Sequence, residues 1–255
     1  MRLLLRTLSE LCITAGAVIV LFVAYVTLWT GVRAEAASDA EKGALERRWA
    51  ASREVPAGAT QGSPSTSAPP PGPAAPSTTT GPSQAPAPSP SPAAAPYRDG
   101  EPFAVMYVPR FGKGWEWPVL EGTAAATLKK GLGHYTGTAP PGGTGNFSVA
   151  GHRRTYGDPF KDFPRLRPGD AVILNDGTTW FTYRVERRPY RTVPGDIAVV
   201  DPVPVPEKSG FTGPGRYLTL TTCDPEWGSS HRLVAWARLA ATRPVTQGEP
   251  PAFHS

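Results

Sequence analysis

Apolar and polar residues alternate along the second half of this chain but not along the first. From Tyr97 to Arg243 the pattern breaks into short runs of period two, bounded by glycine and proline. The runs that predict strands are "FAVMYVP" (103–109), "WEWPVL" (115–120), "NFSVAGH" (146–152), "DAVILND" (170–176), "TWFTYRVERRPYRT" (179–192), "DIAVV" (196–200), "RYLTLTTC" (216–223) and "HRLVAWARLA" (231–240). Helical pattern is confined to "AAATLKKGL" (124–132) and a turn around "YGDPFKDFPRL" (156–166). Many short strands at close spacing predict an all-β barrel or sandwich for residues 97–243, followed by a loose tail at 244–255.

Upstream the pattern changes twice. Leu11 to Val32, "LCITAGAVIVLFVAYVTLWTGV", carries no charged residue. As a helix rising about 1.5 Å per residue it is long enough for a bilayer core of about 30 Å. A cleavable signal peptide has a shorter apolar core, so residues 11–32 are expected to be a transmembrane signal anchor. The Ala34-Glu35-Ala36 triplet is the cleavage site if the run is removed instead. Arg2, Arg6 and the amino terminus favour a cytoplasmic segment at 1–10, although Arg33 and Lys42 on the other flank weaken that bias. Residues 33–96 are then extracytoplasmic. They begin as an alanine-rich, mixed-charge stretch that suits a polar helix. From Val55 to Pro96 they become a Pro/Ala/Ser-rich linker without aromatic residues. Such a segment cannot bury enough surface to offset its ordering entropy, so it is expected to be disordered and to carry the domain away from the membrane.

Composition narrows the chemistry. The 255 residues carry a formal net charge of +5, with no basic block and no nucleic-acid module, so nucleic-acid binding is not expected. There are two cysteines, Cys12 within the apolar run and Cys223, which excludes a disulfide framework. The four histidines and Cys223 show no metal-ligand spacing, and neither a metal nor another cofactor is expected.

Cys223 carries the chemical interest. In "RYLTLTTC" one face holds Leu218 and Leu220, the other Tyr217, Thr219, Thr221 and Cys223. In "HRLVAWARL" one face holds Leu233, Ala235 and Ala237, the other Arg232, Val234, Trp236 and Arg238. If the leucine faces point inward, Cys223 and Arg232 point out together, with "DPEWGSS" (224–230) joining the two strands. A neighbouring cation favours the thiolate, which is the nucleophile. Asp224 would act the other way. Acyl transfer also needs an acid/base. His152, ending a strand beside Gly151, is the first choice, and His134 in "GLGHYTG" the second. A lone cysteine in a β domain is also commonly a small buried residue, and spacing alone leaves that reading open.

The residues "TLTTC" (219–223), Arg232 in "HRLV" and "VAGHR" (149–153), in this order, resemble the signature of the sortases, specifically the class E type. The resemblance implies an eight-stranded β-barrel with short helices and a membrane-anchored cysteine transpeptidase whose catalytic domain is extracellular. Cys223 would be the nucleophile, His152 the acid/base and Arg232 the group that binds substrate backbone or the oxyanion. Residues 192–215 would wall the substrate groove and 224–230 line its other side, with Thr221, Thr222, Asp196, Val199 and Trp227 as substrate-binding residues. The implied partners are secreted proteins with a C-terminal Leu-Ala-x-Thr-Gly or Leu-Pro-x-Thr-Gly sorting signal and an amine of a cell-wall precursor. Two other readings compete: a non-catalytic extracytoplasmic binding module, and another cell-wall thiol enzyme of the L,D-transpeptidase kind, whose His-Gly…Ser-x-Gly-Cys pattern is absent here.

Overall fold

A computed structural model describes residues 2–54 and 97–254; the side chains of residues 2–5, 8, 26–31 and 54, and all of residues 55–96, lie outside the described residues. The linker expected at 55–96 falls in that undescribed part. The strands are β1 (Pro102–Tyr107), β2 (Glu116–Glu121), β3 (Leu132–His134), β4 (Gly145–Ala150), β5 (Ala171–Asn175), β6 (Thr179–Val185), β7 (Tyr190–Thr192), β8 (Arg216–Asp224) and β9 (His231–Pro244). They form one nine-stranded sheet in the order β6-β5-β1-β2-β3-β4-β8-β9-β7, and β9 pairs back onto β6. That pairing closes a ring. β7 lies outside it, beside the first half of β9, so eight of the nine strands make the barrel.

Closure depends on β9, whose 14 residues serve different neighbours along their length. Its first half pairs with β8 and β7, and its second half with β6. Inside the ring, Phe147, Val149, Leu174, Tyr183, Leu218 and Leu220 pack as one apolar core. Each such side chain contributes roughly 1.5–3 kcal/mol by leaving water.

Three local elements differ from the pattern-based expectation. β3 occupies the "GLGHYTG" stretch, too short for alternation to reveal, and is held between β2 and β4. The run 179–192 splits into β6 and β7 ahead of Tyr190, where Pro189 has no amide proton to donate to a ladder. "DIAVV" is a 3-10 turn (Ile197–Val200), not a strand, because β7 already takes the adjoining edge of β9. The C-terminal segment is not loose either. Ala252 is buried, and Phe253 packs edge-on against Tyr107 and Trp180.

The helix α1 runs without a break from Arg2 to Glu54. Among the described residues, no helix is long and apolar enough to cross a membrane. Within the expected anchor, residues 26–31 are among those whose side chains are not described. The described large apolar side chains around them, including Leu11, Ile13, Phe22 and Tyr25, are more than half exposed. The second half of α1 behaves differently from an extended polar spacer, because it docks on the barrel. Ala34, Ser38 and Leu45 are buried. Lys42 reaches Glu116 on β2 at 2.8 Å, Glu41 pairs with Lys130 at 2.9 Å, and Trp49 fills the space a side chain at Gly177 would take. The buried positions of the docking stripe, Ala34, Ser38 and Leu45, are small residues and one leucine among charged neighbours, which is why composition hid it.

Leu45→Ala should therefore cost about 2–3 kcal/mol and lower the melting temperature of the full chain by roughly 5–10 °C in a calorimetric scan. An unchanged melting temperature would show that α1 does not stay docked.

Candidate active site

The site is assembled by register. β4 runs parallel to β8 with Gly145 beside Arg216 and Ala150 beside Thr221, a constant offset. The Gly151 amide continues the ladder, donating to the Thr221 carbonyl at 3.1 Å. The residue pairs end at Ala150 and Thr221, and the same offset continued past the strand end would align His152 with Cys223. On the other side of β8, Cys223 is the direct partner of Arg232 on β9. Cys223 and Arg232 are thus direct cross-strand partners, and His152 lies two residues past the end of β4, on the other side of β8.

Gly151 makes this arrangement possible. A Cβ there would fall 2.6 Å from the Phe160 ring and 2.7 Å from Leu132, so only glycine lets the strand end pack this closely. Past His152 the chain turns sharply through Thr155, Tyr156 and Asp158, all at positive φ. Such backbone costs on the order of 1 kcal/mol or more per residue and marks sites where geometry is imposed from outside. The turn lays the Tyr156 ring 5.0 Å from the His152 ring. Burial lowers the pKa of His152, and the positive charge of Lys129 lowers it further. The neutral imidazole is thereby favoured near pH 7, the form that accepts a proton.

Cys223 is a free, half-buried thiol. The face it shares with Tyr217, Thr219 and Thr221 is mostly covered, contrary to a simple inside/outside alternation. Residues 193–211 fold over it and form a second apolar cluster of Val199, Phe211, Tyr217, Val234 and Trp236. Only the Cys223–Arg232 end remains open. There the 3-10 turn and the sheet enclose a groove of about 90 Å³, lined among others by Tyr135, Asp196, Ile197, Val199, Thr221 and Arg232. Arg232 Nη1 donates to the carbonyls of Ser229 and His231, both at 2.9 Å, which fixes the guanidinium at the groove's end.

The other residues expected to bind substrate are dispersed. Thr221 lines the groove, and its hydroxyl is 2.9 Å from that of Tyr135. Thr222 faces the other way: it is buried and donates to the Gly151 carbonyl at 2.8 Å, so it braces the histidine's strand and does not reach the groove. Asp196 accepts from Thr192 at 2.6 Å and closes the groove loop on itself. The Val199 carbonyl takes hydrogen bonds from Thr219 and Trp236, both at 3.2 Å, tying that loop to the sheet. Trp227 stands exposed on the 224–230 loop, 5.0 Å from the Arg154 guanidinium. His134 is inside the barrel, its Nδ1 2.6 Å from Glu121 and its ring stacked on Phe147. Two lining residues, Tyr135 and Val234, were not anticipated, while Val193 and Ile197 fall in the segment expected to wall the groove. Tyr135 sits beside the His134 that drew attention to its loop. Val193 and Ile197 are 55% and 77% exposed, an apolar groove rim that a sequence pattern does not distinguish from core valine and isoleucine.

The description "Sortase domain" belongs to the family model that matches residues 106–240. The chain belongs to the sortase family. Sortases are cysteine transpeptidases. The chain is similar to Sortase SrtE1 of Streptomyces coelicolor, 32% identical over 257 residues, covering 98% of this chain but 61% of that relative's length. Sortase SrtE2 of the same organism is 30% identical over 244 residues, covering 93% of this chain and 83% of the relative. Among solved structures, sortase E from Streptomyces avermitilis is 63% identical with a TM-score of 0.58, covering 62% of this chain and 99% of that one. Sortase E1 from Streptomyces coelicolor, solved with a tripeptide in the active site, is 37% identical with a TM-score of 0.56, covering 60% and 96%. The sortase resemblance and its class E character thus hold, and so does the barrel.

Lys129→Gln removes the charge that helps keep His152 neutral. The titration midpoint of the His152 ring protons, followed by NMR, should move to higher pH. A midpoint that stays put would mean burial alone sets it.

Proposed function

We propose that this sortase cleaves a C-terminal sorting signal of the Leu-Ala-x-Thr-Gly or Leu-Pro-x-Thr-Gly type between Thr and Gly and transfers the protein to an amine of a cell-wall precursor. The observation that carries this reading is the direct pairing of Cys223 with Arg232, the residue that lines the end of a groove, with His152 just past the end of the strand that flanks β8 on its other side. The groove suits an extended peptide: its rim is apolar at Val193 and Ile197, and its floor is polar at Thr221 and Tyr135. Trp227, at the far loop, adds an exposed aromatic surface.

In this mechanism the Cys223 proton passes to the neutral His152 ring, and the thiolate attacks the threonine carbonyl carbon. The developing oxyanion meets N–H groups of Arg232 that its two carbonyl contacts leave available, since a guanidinium carries five. The C–N bond breaks, and His152 gives its proton to the departing glycine amine. A thioester on Cys223 remains. The incoming amine then attacks it, loses a proton to His152, and the thiol leaves with that proton restored. Every proton released at one step is consumed at the next.

We read the apolar part of α1 as the anchor that keeps the catalytic domain at the outer face of the cell membrane. Its exposed apolar side chains support this, because so much exposed apolar surface is costly in water. The docked second half of α1 would then hold the barrel near the membrane surface.

Cys223→Ala should abolish both acyl-enzyme, detected by intact-protein mass spectrometry, and transfer of a labelled peptide. His152→Ala and Arg232→Ala should each lower kcat/KM by about 10²–10⁴-fold with circular dichroism unchanged. Near-normal turnover in His152→Ala would remove His152 from the mechanism. A Cys223→Ala variant that still forms acyl-enzyme would refute the transpeptidase assignment of this site.

A further inference from the structure

Asp224 follows the thiol directly in sequence. A carboxylate able to turn toward Sγ would disfavour the thiolate that attacks the substrate. Strand alternation sends the Asp224 side chain to the opposite face of β8 from Cys223. There two cations from separate elements hold it. Arg153 Nη1, from the turn after His152, donates to Oδ1, and Arg191 Nε, from β7, donates to Oδ2 at 2.6 Å. The Arg153 and Asp224 side chains are only 11% and 15% exposed. Arg191 Nη2 also lies 3.0 Å from Nδ1 of His231, the β9 partner of Asp224.

We propose that Arg153 and Arg191 are positioning residues for Cys223: by holding and neutralising the Asp224 carboxylate on the far face of β8, they keep the thiolate accessible near neutral pH. This rests on Cys223 being the nucleophile.

The surrounding charges leave this clamp a specific task. Beside the thiol stand His152 and Arg232, with Lys129 acting on His152 from the end of the helix α2 (Ala125–Leu128). Arg154 is engaged with Glu226 and Asp158. Across the groove, Asp196 is bonded to Thr192. His231 faces Arg191. Burial alone would raise the Asp224 pKa, but the hydrogen bonds from Arg191 and Arg153 outweigh it and hold the carboxyl below its ordinary value. Asp224 is therefore ionised throughout the neutral range, and its charge is offset by pairing and not by protonation.

A purely structural ion-pair cluster would affect stability alone. The positioning role predicts a charge-specific effect on the thiol. The test measures iodoacetamide alkylation of Cys223 against pH in the full chain, in a Cys12→Ser background, with peptide kcat/KM alongside. Arg191→Ala should shift the alkylation profile to higher pH and slow alkylation at pH 7 by about threefold to tenfold. Asp224→Asn should shift the profile to lower pH. The Arg191→Ala/Asp224→Asn double variant should return it to within about twofold of the parent rate, with kcat/KM recovering in parallel. The proposal is overturned if folded Arg191→Ala has the parent profile, or if Asp224→Asn does not restore the double variant. Should Arg191→Ala fail to fold, Asp224→Asn alone decides, because an unmoved profile there refutes the idea. Loss of the nucleophile reading would look different: Cys223→Ala would retain acyl-enzyme formation whatever the arginine variants do.

Discussion

The parallel ladder between β4 and β8 is the constraint on which the rest depends. Its register, Gly145 with Arg216 through Ala150 with Thr221, sets which residue stands beside the thiol. A slip of one residue would exchange the faces of every side chain in β4. Phe147 and Val149 would leave the core, and the chain carrying His152 would shift along β8. The register is held by that same core, where Phe147 and Val149 meet Leu218 and Leu220, so the energy that stabilises the barrel also aligns the site. Thr222 adds a specific lock through its bond to the Gly151 carbonyl. A residue inside the TLTTC stretch thus serves the histidine's position from beneath the sheet.

Alternation made part of this legible in the sequence. The leucine and alanine faces of β8 and β9 predicted that Cys223 and Arg232 would be neighbours, and they pair directly. Which histidine joins them was not readable from alternation, because it depends on the pairing of β4 with β8, two strands far apart in sequence. His134 ends a short strand, and His152 lies two residues past the end of another. Only the long-range pairing puts one at the rim and the other within the barrel against Glu121. The cover over β8 and β9 was equally hidden. "DIAVV" reads as a strand by its residues, yet its place is set by an edge already occupied by β7 and by the Val199 carbonyl bonds to Thr219 and Trp236. The docking of α1 escaped notice because its buried contacts, Ala34, Ser38 and Leu45, are few and mostly small, amid charged residues that read as a solvated helix.

The electrostatics of the site follow from partial burial. Burial acts on His152 and Asp224 in opposite directions, lowering one pKa and raising the other. For His152 the nearby Lys129 reinforces burial. For Asp224 two arginines reverse it. Both shifts widen the pH range over which a neutral imidazole and a charged carboxylate coexist at this rim.

The strained turn after His152 is the place where these influences converge. Thr155 and Asp158 hold each other through two short-range hydrogen bonds, at 2.6 and 3.1 Å. Arg153 ties the turn's start to Asp224, and Arg154 ties its middle to Glu226 across the groove's far loop. Tyr156 lies between the His152 ring and the Lys129 ammonium, and it lines a hollow shared with Ala34 and Ala37 of α1. Positive φ at a threonine persists only when neighbours outweigh its cost. Here those neighbours come from β8, the 224–230 loop, α2 and the docked helix. The turn is consequently preorganised and does not behave as a lid. A change in how α1 sits on the barrel would be felt first at Tyr156, whose ring lies against the His152 imidazole.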